Sequence, residues 1–327
     1  MRLSAFSVVD GYDDGSPRER YAEVLDLAEA AEAAGLSAVW LAEHHFHQGG
    51  VCPDPAVLLA AIAARTQTIR VGVLVSVLPF HNAIDVAEQY AMVDQLSRGR
   101  LNLGVGSGYI PLEFEGFGID PAEKRERFDA GLATLLAALR GEPVAPTSEP
   151  GRLRSLNVRS VQRPHPPLWI AVQRREALPF VARRGANVAL VPYATVADPA
   201  ELAAEIREFR SHLPPGVRAI VSVALHLYAG PRPEAARAAL QRYLDSRLAT
   251  QSAFYQDKVR RDPSHASAAT IERSGFALFG TATDVAERLA AFRDAGVDEV
   301  LGIFDFGGLE AAEVRGSVTA LGPLVSD

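Results

Sequence analysis

The first third of the chain alternates between apolar runs and segments with a helical period. Runs that are apolar almost throughout are typical of strands buried on both faces, and they occur at 3–9, 37–43, 69–78 and 100–108. Between them, apolar side chains recur every three or four residues, as on one side of a helix, at 18–35, 54–66 and 82–97. Strands that alternate with helices predict right-handed crossovers and a parallel sheet.

The alternation resumes after a proline-, arginine- and serine-rich interruption. A helix is predicted at 124–141, and a second at 280–296, where Thr281 and Asp284 have the spacing of a capping box. Eight strand–helix units favour an α/β fold of the closed (β/α)8 type, a TIM barrel, over an open sheet. We expect insertions at its C-terminal face and no second domain within 1–327. The later strands are predicted at 167–172, 186–192, 218–229 and 298–306, and the insertions at 109–123, 143–166 and 251–279.

Composition and charge narrow the functional classes. The 327 residues are 48% apolar and 22% charged, as in globular proteins. A net charge of −7 argues against a general nucleic-acid binder, which needs a basic surface. The single cysteine, Cys52, excludes an internal disulfide and suits a reducing compartment. The sequence shows no signal-peptide core and no apolar run of about 20 residues, so we expect a cytoplasmic protein without membrane contact.

Four ionisable residues follow the second predicted strand: Glu43, His44, His45 and His47. Barrel enzymes carry their chemistry at the C-terminal ends of the strands, and a histidine can exchange a proton near neutral pH. We therefore expect a catalytic role here, although histidines that only bind loop carbonyls would give the same pattern. The His45-Phe46-His47 spacing also occurs in metal-dependent barrel hydrolases. No further ligands stand at the ends of strands three, four and five. His226 lies inside strand seven and Asp305 ends strand eight, and these do not complete a coordination shell. No metal is therefore predicted, and the hydrolase is an alternative.

Two further motifs follow strand ends. In LGVGSGY, the glycines at 104, 106 and 108 lack the spacing of a dinucleotide-binding site, and the residues after Tyr109 are predicted not to be helical. These glycines suit either the close approach of a ligand or a tight turn at the barrel rim. Farther on, Gln173, Arg174 and Arg175 lie at the start of a predicted helix, where an anion is favoured. A solvated arginine pair is the other interpretation.

With these motifs in view, the chain resembles the bacterial luciferase-like flavin-dependent monooxygenases, a family of TIM barrels. The resemblance is specific through Gly108 and only approximate over 200–275. It implies that reduced FMN and molecular oxygen form a flavin hydroperoxide, which oxygenates a small organic substrate. The segments that carry it are VWLAEHHF (39–46), 69–109, 167–188 and 279–308.

The resemblance also implies roles for individual residues. His44 matches the acid/base beside the reactive carbon of the flavin, and Glu43 a carboxylate that supports it. Leu74 and Val75 match a non-proline cis peptide that lies against the flavin ring. The chain departs from the luciferases at Ser107, where they have a basic residue, and at Gly106, where they have a reactive thiol. The residues implied to hold the ribityl-phosphate arm are Ser107, Tyr109, Gln173, Arg174 and Arg175.

Partners follow from the same resemblance. Because the chain has no nicotinamide fingerprint, we expect a separate flavin reductase to supply reduced FMN, and a homodimer is typical of the family. Within the fold, the alternative is a deazaflavin-dependent oxidoreductase that transfers hydride without oxygen. A non-catalytic flavin-binding subunit is a third possibility, which the histidine at position 44 disfavours. An apolar mouth is expected around the flavin, with candidates Phe46, Tyr109, Phe114, Phe117, Tyr193, Phe304 and Phe306.

Overall fold

A computed structural model of the chain describes residues 1–11, 16–145, 151–192, 196, 199–248 and 253–325. Within them the strands are β1 Arg2–Ser7, β2 Ala38–Leu41, β3 Arg70–Val77, β4 Leu101–Gly106, β5 Leu168–Val172, β6 Asn187–Leu190, β7 Val221–Ala229, β8 Ala277–Gly280 and β9 Glu299–Ile303. The α-helices are α1 Pro17–Ala33, α2 Pro55–Arg65, α3 Ala83–Leu96, α4 Pro111–Gly116, α5 Lys124–Arg140, α6 Leu178–Arg183, α7 Pro199–Ser211, α8 Pro233–Leu248, α9 Ala253–Arg261, α10 Ala268–Arg273, α11 Ala282–Ala295 and α12 Ala311–Val325.

The sheet is parallel and closes on itself. Strands β1 to β6 pair in sequence order, and β7 joins β6 to β9. The closing contact pairs β9 with β1, with Val300 opposite Leu3. These eight strands are the eight predicted from the apolar runs, so the (β/α)8 barrel is confirmed. The ninth strand, β8, pairs with the C-terminal end of β7 and was not predicted.

Local capping signals in the sequence determine where several helices begin and end. Asp54 caps α2 by accepting a hydrogen bond from the backbone N–H of Ala56. The predicted capping box is present at the start of α11, between Thr281 and Asp284. Helix α5 ends at Gly141, whose φ of 83° is readily adopted only by glycine. These caps fix the directions in which the chain enters and leaves the barrel wall.

One expectation about the insertions needs correction. The segment after Tyr109 forms α4, a helix of six residues, although it was predicted not to be helical. Its proline lies in the first helical turn, where a missing N–H costs nothing, and the helix is too short to show an apolar period. The segment 251–279 contains α9, α10 and most of β8, so it is largely regular structure. None of the helices in the described ranges combines the length and apolar composition needed to cross a bilayer.

A polar network fills the barrel interior near the start of its strands. The carboxylate of Glu299 accepts hydrogen bonds from Ser4 Oγ at 2.6 Å, Ser222 Oγ at 2.9 Å and Trp40 Nε1 at 3.3 Å. Trp169 Nε1 in turn donates to Ser222 Oγ at 3.0 Å, and the two indole rings meet edge to face. This end of the barrel is therefore packed and satisfied, which leaves the opposite rim for binding.

At the C-terminal end, β3 and β4 approach each other unusually closely. The peptide bond between Leu74 and Val75 is cis, as the resemblance implies. A Cβ atom built on Gly104 would lie 2.3 Å from the carbonyl oxygen of Val73, and one on Gly106 would lie 2.5 Å from Val75 Cγ2. The glycines at 104 and 106 are thus required by the packing of β4 against β3, which supports the steric interpretation of the motif.

Replacing Gly104 tests this packing. In Gly104→Ala the new methyl group meets backbone, which cannot rotate away, so we expect the free energy of unfolding to fall by about 1–3 kcal/mol. The matched control is Gly316→Ala in α12, where a Cβ would meet nothing within 4 Å and helix propensity favours alanine by about 1 kcal/mol. Urea unfolding of both variants measures the difference, and a Gly104→Ala protein as stable as the wild type would contradict the packing argument.

Candidate active site

The loops after β2, β3 and β4 bring two buried carboxylates together with four histidines. Glu113 belongs to α4, and Glu43 follows β2 directly. Both side chains are almost completely buried, so their charges need several hydrogen bonds to offset the loss of water. The imidazoles of His44, His45, His47 and His81 provide most of these bonds.

Glu113 organises the first cluster. Its Oε1 atom lies 3.0 Å from His44 Nδ1, 3.3 Å from His47 Nε2 and 3.0 Å from the backbone nitrogen of His45, which donates to it. His44 is itself held by its backbone N–H, which donates to the carbonyl of Cys52. The predicted catalytic histidine is therefore fixed at both its backbone and its ring.

Glu43 organises the second cluster. Its Oε1 atom lies 3.0 Å from His45 Nε2 and 2.8 Å from His81 Nε2, and its Oε2 accepts the backbone N–H of Val77 at 3.1 Å. Glu43 thus ties the end of β2 to the end of β3. This placement agrees with a supporting carboxylate, and it shows that Glu43 contacts the neighbours of His44 and not His44 itself.

The histidines of the His45-Phe46-His47 motif belong to different clusters. His45 contacts Glu43, whereas His47 contacts Glu113. The motif therefore does not form one coordination site, as the metal-dependent hydrolase requires. Each cluster does contain three side chains of the types that bind metals, with ligand atoms within 4.8 Å of one another. In each, one carboxylate oxygen is already shared by two imidazole nitrogens, which accounts for the grouping without an ion.

The environment sets the charges of the first cluster. Burial raises the pKa of Glu113, but hydrogen bonds from His44 and His47 outweigh it, and the pKa falls to about 2. Burial lowers the pKa of His44 to about 4, because the contact with Glu113 offsets only part of the lost hydration and Arg247 adds a nearby positive charge. At neutral pH the pair is therefore a carboxylate and a neutral imidazole.

Arg247 completes the site from the far side of the barrel mouth. It lies near the end of α8 and is 4% exposed. Its guanidinium donates to the carbonyl of Gly49 and contacts His44 Nε2 at 3.2 Å. Three residues of the site, His81, Glu113 and Arg247, were not identified from the sequence, because each comes from a segment distant from the EHH motif.

The residues implied to hold the flavin lie around the same rim. Leu74 is buried beside the cis bond, and Val75 is half-buried. Ser107 and Tyr109 are half-buried just after β4, and the Tyr109 ring meets His44 edge to face at 6.5 Å. The structure thus brings Tyr109 to the predicted catalytic histidine. The contacts of these residues with a flavin remain predictions.

The basic turn after β5 divides into two parts. Gln173 is half-buried and Arg174 exposed, and a short 3-10 helix leads from Arg175 into α6, so a helix does begin at this turn as predicted. The guanidinium of Arg175 forms an ion pair with Glu208 at 2.5 Å on the outer surface. Arg174 instead lies near Lys124, the first residue of α5; burial and the charge of Arg174 lower the pKa of Lys124. Lys124 was not identified from the sequence.

Among the aromatic residues expected at the mouth, Phe114, Phe304 and Phe306 are core residues, each at most 2% exposed. Phe46 and Phe117 are 58% and 37% exposed, and their ring centroids lie 5.2 Å apart. Phe117 also packs against His45 at 4.8 Å. These two rings form an exposed apolar surface beside the Glu43 cluster. Tyr193 lies outside the described residues.

The (β/α)8 barrel thus carries buried carboxylates and histidines at the C-terminal ends of its strands, where enzymes of this fold have their active sites. Comparison with protein families matches residues 1–299 to the luciferase-like monooxygenases. The match extends over most of the chain, and the chain belongs to this family.

The sequence is also similar to individual proteins. An uncharacterised protein of Sinorhizobium fredii is 41% identical over 191 residues, which are 57% of this chain and 56% of the relative. The oxygenase component of a flavin-dependent trigonelline monooxygenase from Acinetobacter baylyi is 28% identical over 205 residues, 59% of this chain and 54% of that protein. The chain therefore spans about half the length of the curated relatives it matches.

Solved structures share the whole fold. The monooxygenase RslO1 from Streptomyces bottropensis superposes with a TM-score of 0.80 at 24% identity and covers 99% of this chain and 98% of its own. The oxygenating constituent of 3,6-diketocamphane monooxygenase from Pseudomonas putida, solved with FMN, has a TM-score of 0.79 at 16% identity, covering 100% and 98%. An F420-dependent secondary alcohol dehydrogenase has a TM-score of 0.77 at 17% identity, covering 100% and 99%. These likenesses confirm the barrel.

The lowered pKa of His44 makes stability depend on pH. An imidazole in the unfolded chain binds a proton below its ordinary value of 6.5, whereas folded His44 does so only near pH 4. Above pH 6.5 the ring is neutral in both states, and the difference has no effect on stability. As the pH falls from 6.5 towards 4, the unfolded chain binds a proton that folded His44 does not, so the free energy of unfolding decreases. In His44→Gln we expect the free energy of unfolding to fall less steeply with decreasing pH, by up to about 1.4 kcal/mol per pH unit.

Urea unfolding between pH 7.5 and 4.5 measures this slope. His212→Gln, the same substitution at an exposed histidine, is the control and should keep the wild-type slope. Burial also lowers the pKa of His226, to about 3. His226 therefore contributes to the pH dependence of stability in every variant. Equal slopes in His44→Gln and the wild type would show that His44 is not held neutral by the fold.

Proposed function

We propose that the protein is an FMN-dependent monooxygenase that oxygenates a small organic substrate. One atom of molecular oxygen enters the substrate and the other leaves as water, with two electrons from reduced FMN. The observation that carries the proposal is the buried His44, hydrogen-bonded to Glu113 at the barrel rim of a member of the luciferase-like monooxygenases. Bound FMN supplies the reaction with oxygen; the protein supplies binding, proton placement and protection from water.

The residues at the rim fit FMN by their chemistry. A phosphate dianion needs cations and N–H donors. Lys124, at the start of α5, and Arg174, after β5, lie near enough for the charge of Arg174 to lower the pKa of Lys124. Two neighbouring cations repel one another, so an anion between them is favourable. We assign the phosphate of FMN to the pair of Lys124 and Arg174. Gln173, Ser107 and Tyr109 from the adjoining turns complete this end of the site. Arg175 has a smaller part, because Glu208 already neutralises it.

The ring end of the site falls between Leu74–Val75 and the His44 cluster. Glu113 orients the imidazole of His44, so that one ring nitrogen is committed to the carboxylate. Glu43 fixes the loops on either side through His45 and His81. The exposed rings of Phe46 and Phe117 provide an apolar surface that excludes water from one edge.

The proposal includes a reductase as a separate protein. The similar protein from Acinetobacter baylyi is named as an oxygenase component, which agrees with a system of two components. In such a system the reductase would supply reduced FMN to this chain. A homodimer stays a prediction, as does the identity of the substrate.

The deazaflavin alternative is kept because a solved structure of the same fold carries F420. In that case the same rim would bind the deazaflavin and transfer hydride, with no oxygen consumed. The first experiment therefore compares the two cofactors directly.

We expect the protein to bind FMN and to change how reduced FMN reacts with oxygen. Titration with FMN and with F420, followed by flavin fluorescence, measures binding. Stopped-flow spectra of the protein with reduced FMN and oxygen then show whether flavin oxidation differs from that of free FMN. Binding of F420 but not FMN would establish the alternative, and binding of neither would exclude both.

The phosphate assignment predicts a difference between FMN and riboflavin. In Lys124→Ala we expect the Kd for FMN to rise about ten- to a hundredfold, because a charge-assisted contact with the phosphate is lost. The Kd for riboflavin, which has no phosphate, should not change. Arg183→Ala removes an exposed cation of α6 and should alter neither Kd. Equal losses of FMN and riboflavin affinity in Lys124→Ala would place Lys124 away from the phosphate.

A further inference from the structure

Arg247 reaches His44 from the opposite side of the barrel mouth. Helix α8 follows β7, whereas His44 follows β2, so the contact joins segments about 200 positions apart. The guanidinium is held in place by the carbonyl of Gly49 and lies 5.0 Å from the centre of the Tyr243 ring. Arg247 is thus a fixed, buried cation directed at one ring nitrogen of His44.

This contact determines which nitrogen of His44 carries the proton. A guanidinium can only donate hydrogen bonds, so Nε2, 3.2 Å from Arg247 Nη2, must be the accepting nitrogen. Nδ1 then carries the hydrogen and donates it to Glu113 Oε1 at 3.0 Å. A doubly protonated ring would direct an N–H of His44 at an N–H of Arg247, which is unfavourable.

We propose that Arg247 is a positioning residue that, together with Glu113, holds His44 as the neutral tautomer with hydrogen on Nδ1. In this state Nε2 has the free electron pair, so His44 acts in the reaction as a base. A proton from the bound substrate then takes the place of the Arg247 hydrogen bond at Nε2. Glu113 stabilises the ring as it becomes positive. The role in catalysis rests on the proposed function, whereas the tautomer is a property of the protein alone.

The surroundings of His44 agree with this assignment. The ionisable groups that face it are Glu113 on α4, His47 in its own loop, Tyr109 after β4 and Arg247 on α8. Only Glu113 favours a positive imidazole, and burial opposes one. Burial, Arg247 and His47 all keep the ring neutral, so replacing Arg247 removes one of three influences.

Nitrogen NMR of histidine-labelled protein tests the tautomer without flavin. The resonances of His44 are identified by their loss in His44→Gln. In the wild type at pH 7.5 we expect the pattern of a neutral ring with hydrogen on Nδ1. In Arg247→Met, which keeps an unbranched aliphatic side chain but is shorter and removes every donor, we expect a mixture of tautomers and a His44 titration midpoint at least about one pH unit higher.

Two further variants sharpen the comparison. Arg247→Lys retains a buried donor and positive charge and should restore much of the wild-type pattern. Arg237→Ala, on the same helix but paired with Glu272 at the surface, should leave His44 unchanged. An unaltered tautomer and midpoint in Arg247→Met would overturn the proposal. If that variant does not fold, a wild-type ring with hydrogen on Nε2, or on both nitrogens, overturns it equally.

The proposal and the proposed function can fail independently. If wild-type protein shows the Nδ1–H tautomer but ignores FMN, the monooxygenase is excluded and the tautomer assignment stands. If the wild type alters the oxidation of reduced FMN while His44 has the other tautomer, the function stands and Arg247 has no positioning role.

Discussion

The site depends on the hydrogen bonds of one buried carboxylate, that of Glu113. The carboxylate accepts hydrogen bonds from two imidazoles and one backbone N–H, and these bonds join α4 to the loop after β2. A carboxylate in this position is costly unless hydrogen bonds replace its hydration, and removing one partner leaves the others with an unsatisfied charge. The cluster is therefore strongly coupled: the orientation of His44, the path of its loop and the position of α4 are determined together.

The barrel provides the rigidity that this coupling requires. One end of its interior is filled by the network around Glu299, and the other is shaped by the close approach of β3 and β4 at Gly104 and Gly106. Because both ends of the strands are fixed, the loops that follow them can place charged groups to within a hydrogen bond of one another. The second cluster, around Glu43, extends the same principle by joining the ends of β2 and β3 through His45 and His81.

The sequence predicted most of the scaffold and only part of the site. The eight barrel strands were recognisable because strands buried on both faces are apolar throughout, and α2 and α11 because their caps lie in adjacent residues. Helix α4, with six residues, is too short to show a period, and β8 lies at the end of a segment that was interpreted as an insertion. His44 could be identified because it stands in a cluster of ionisable residues at a strand end. Glu113, Lys124 and Arg247 acquire their importance only from neighbours distant in sequence, and no local pattern distinguishes them.

The most direct test of the account is a crystal structure of the protein with FMN bound. The account predicts the flavin ring at the rim between Leu74–Val75 and the His44 cluster, with its phosphate against Lys124 and Arg174. A flavin bound elsewhere on the barrel, or bound at the rim with its phosphate directed away from both cations, would contradict it.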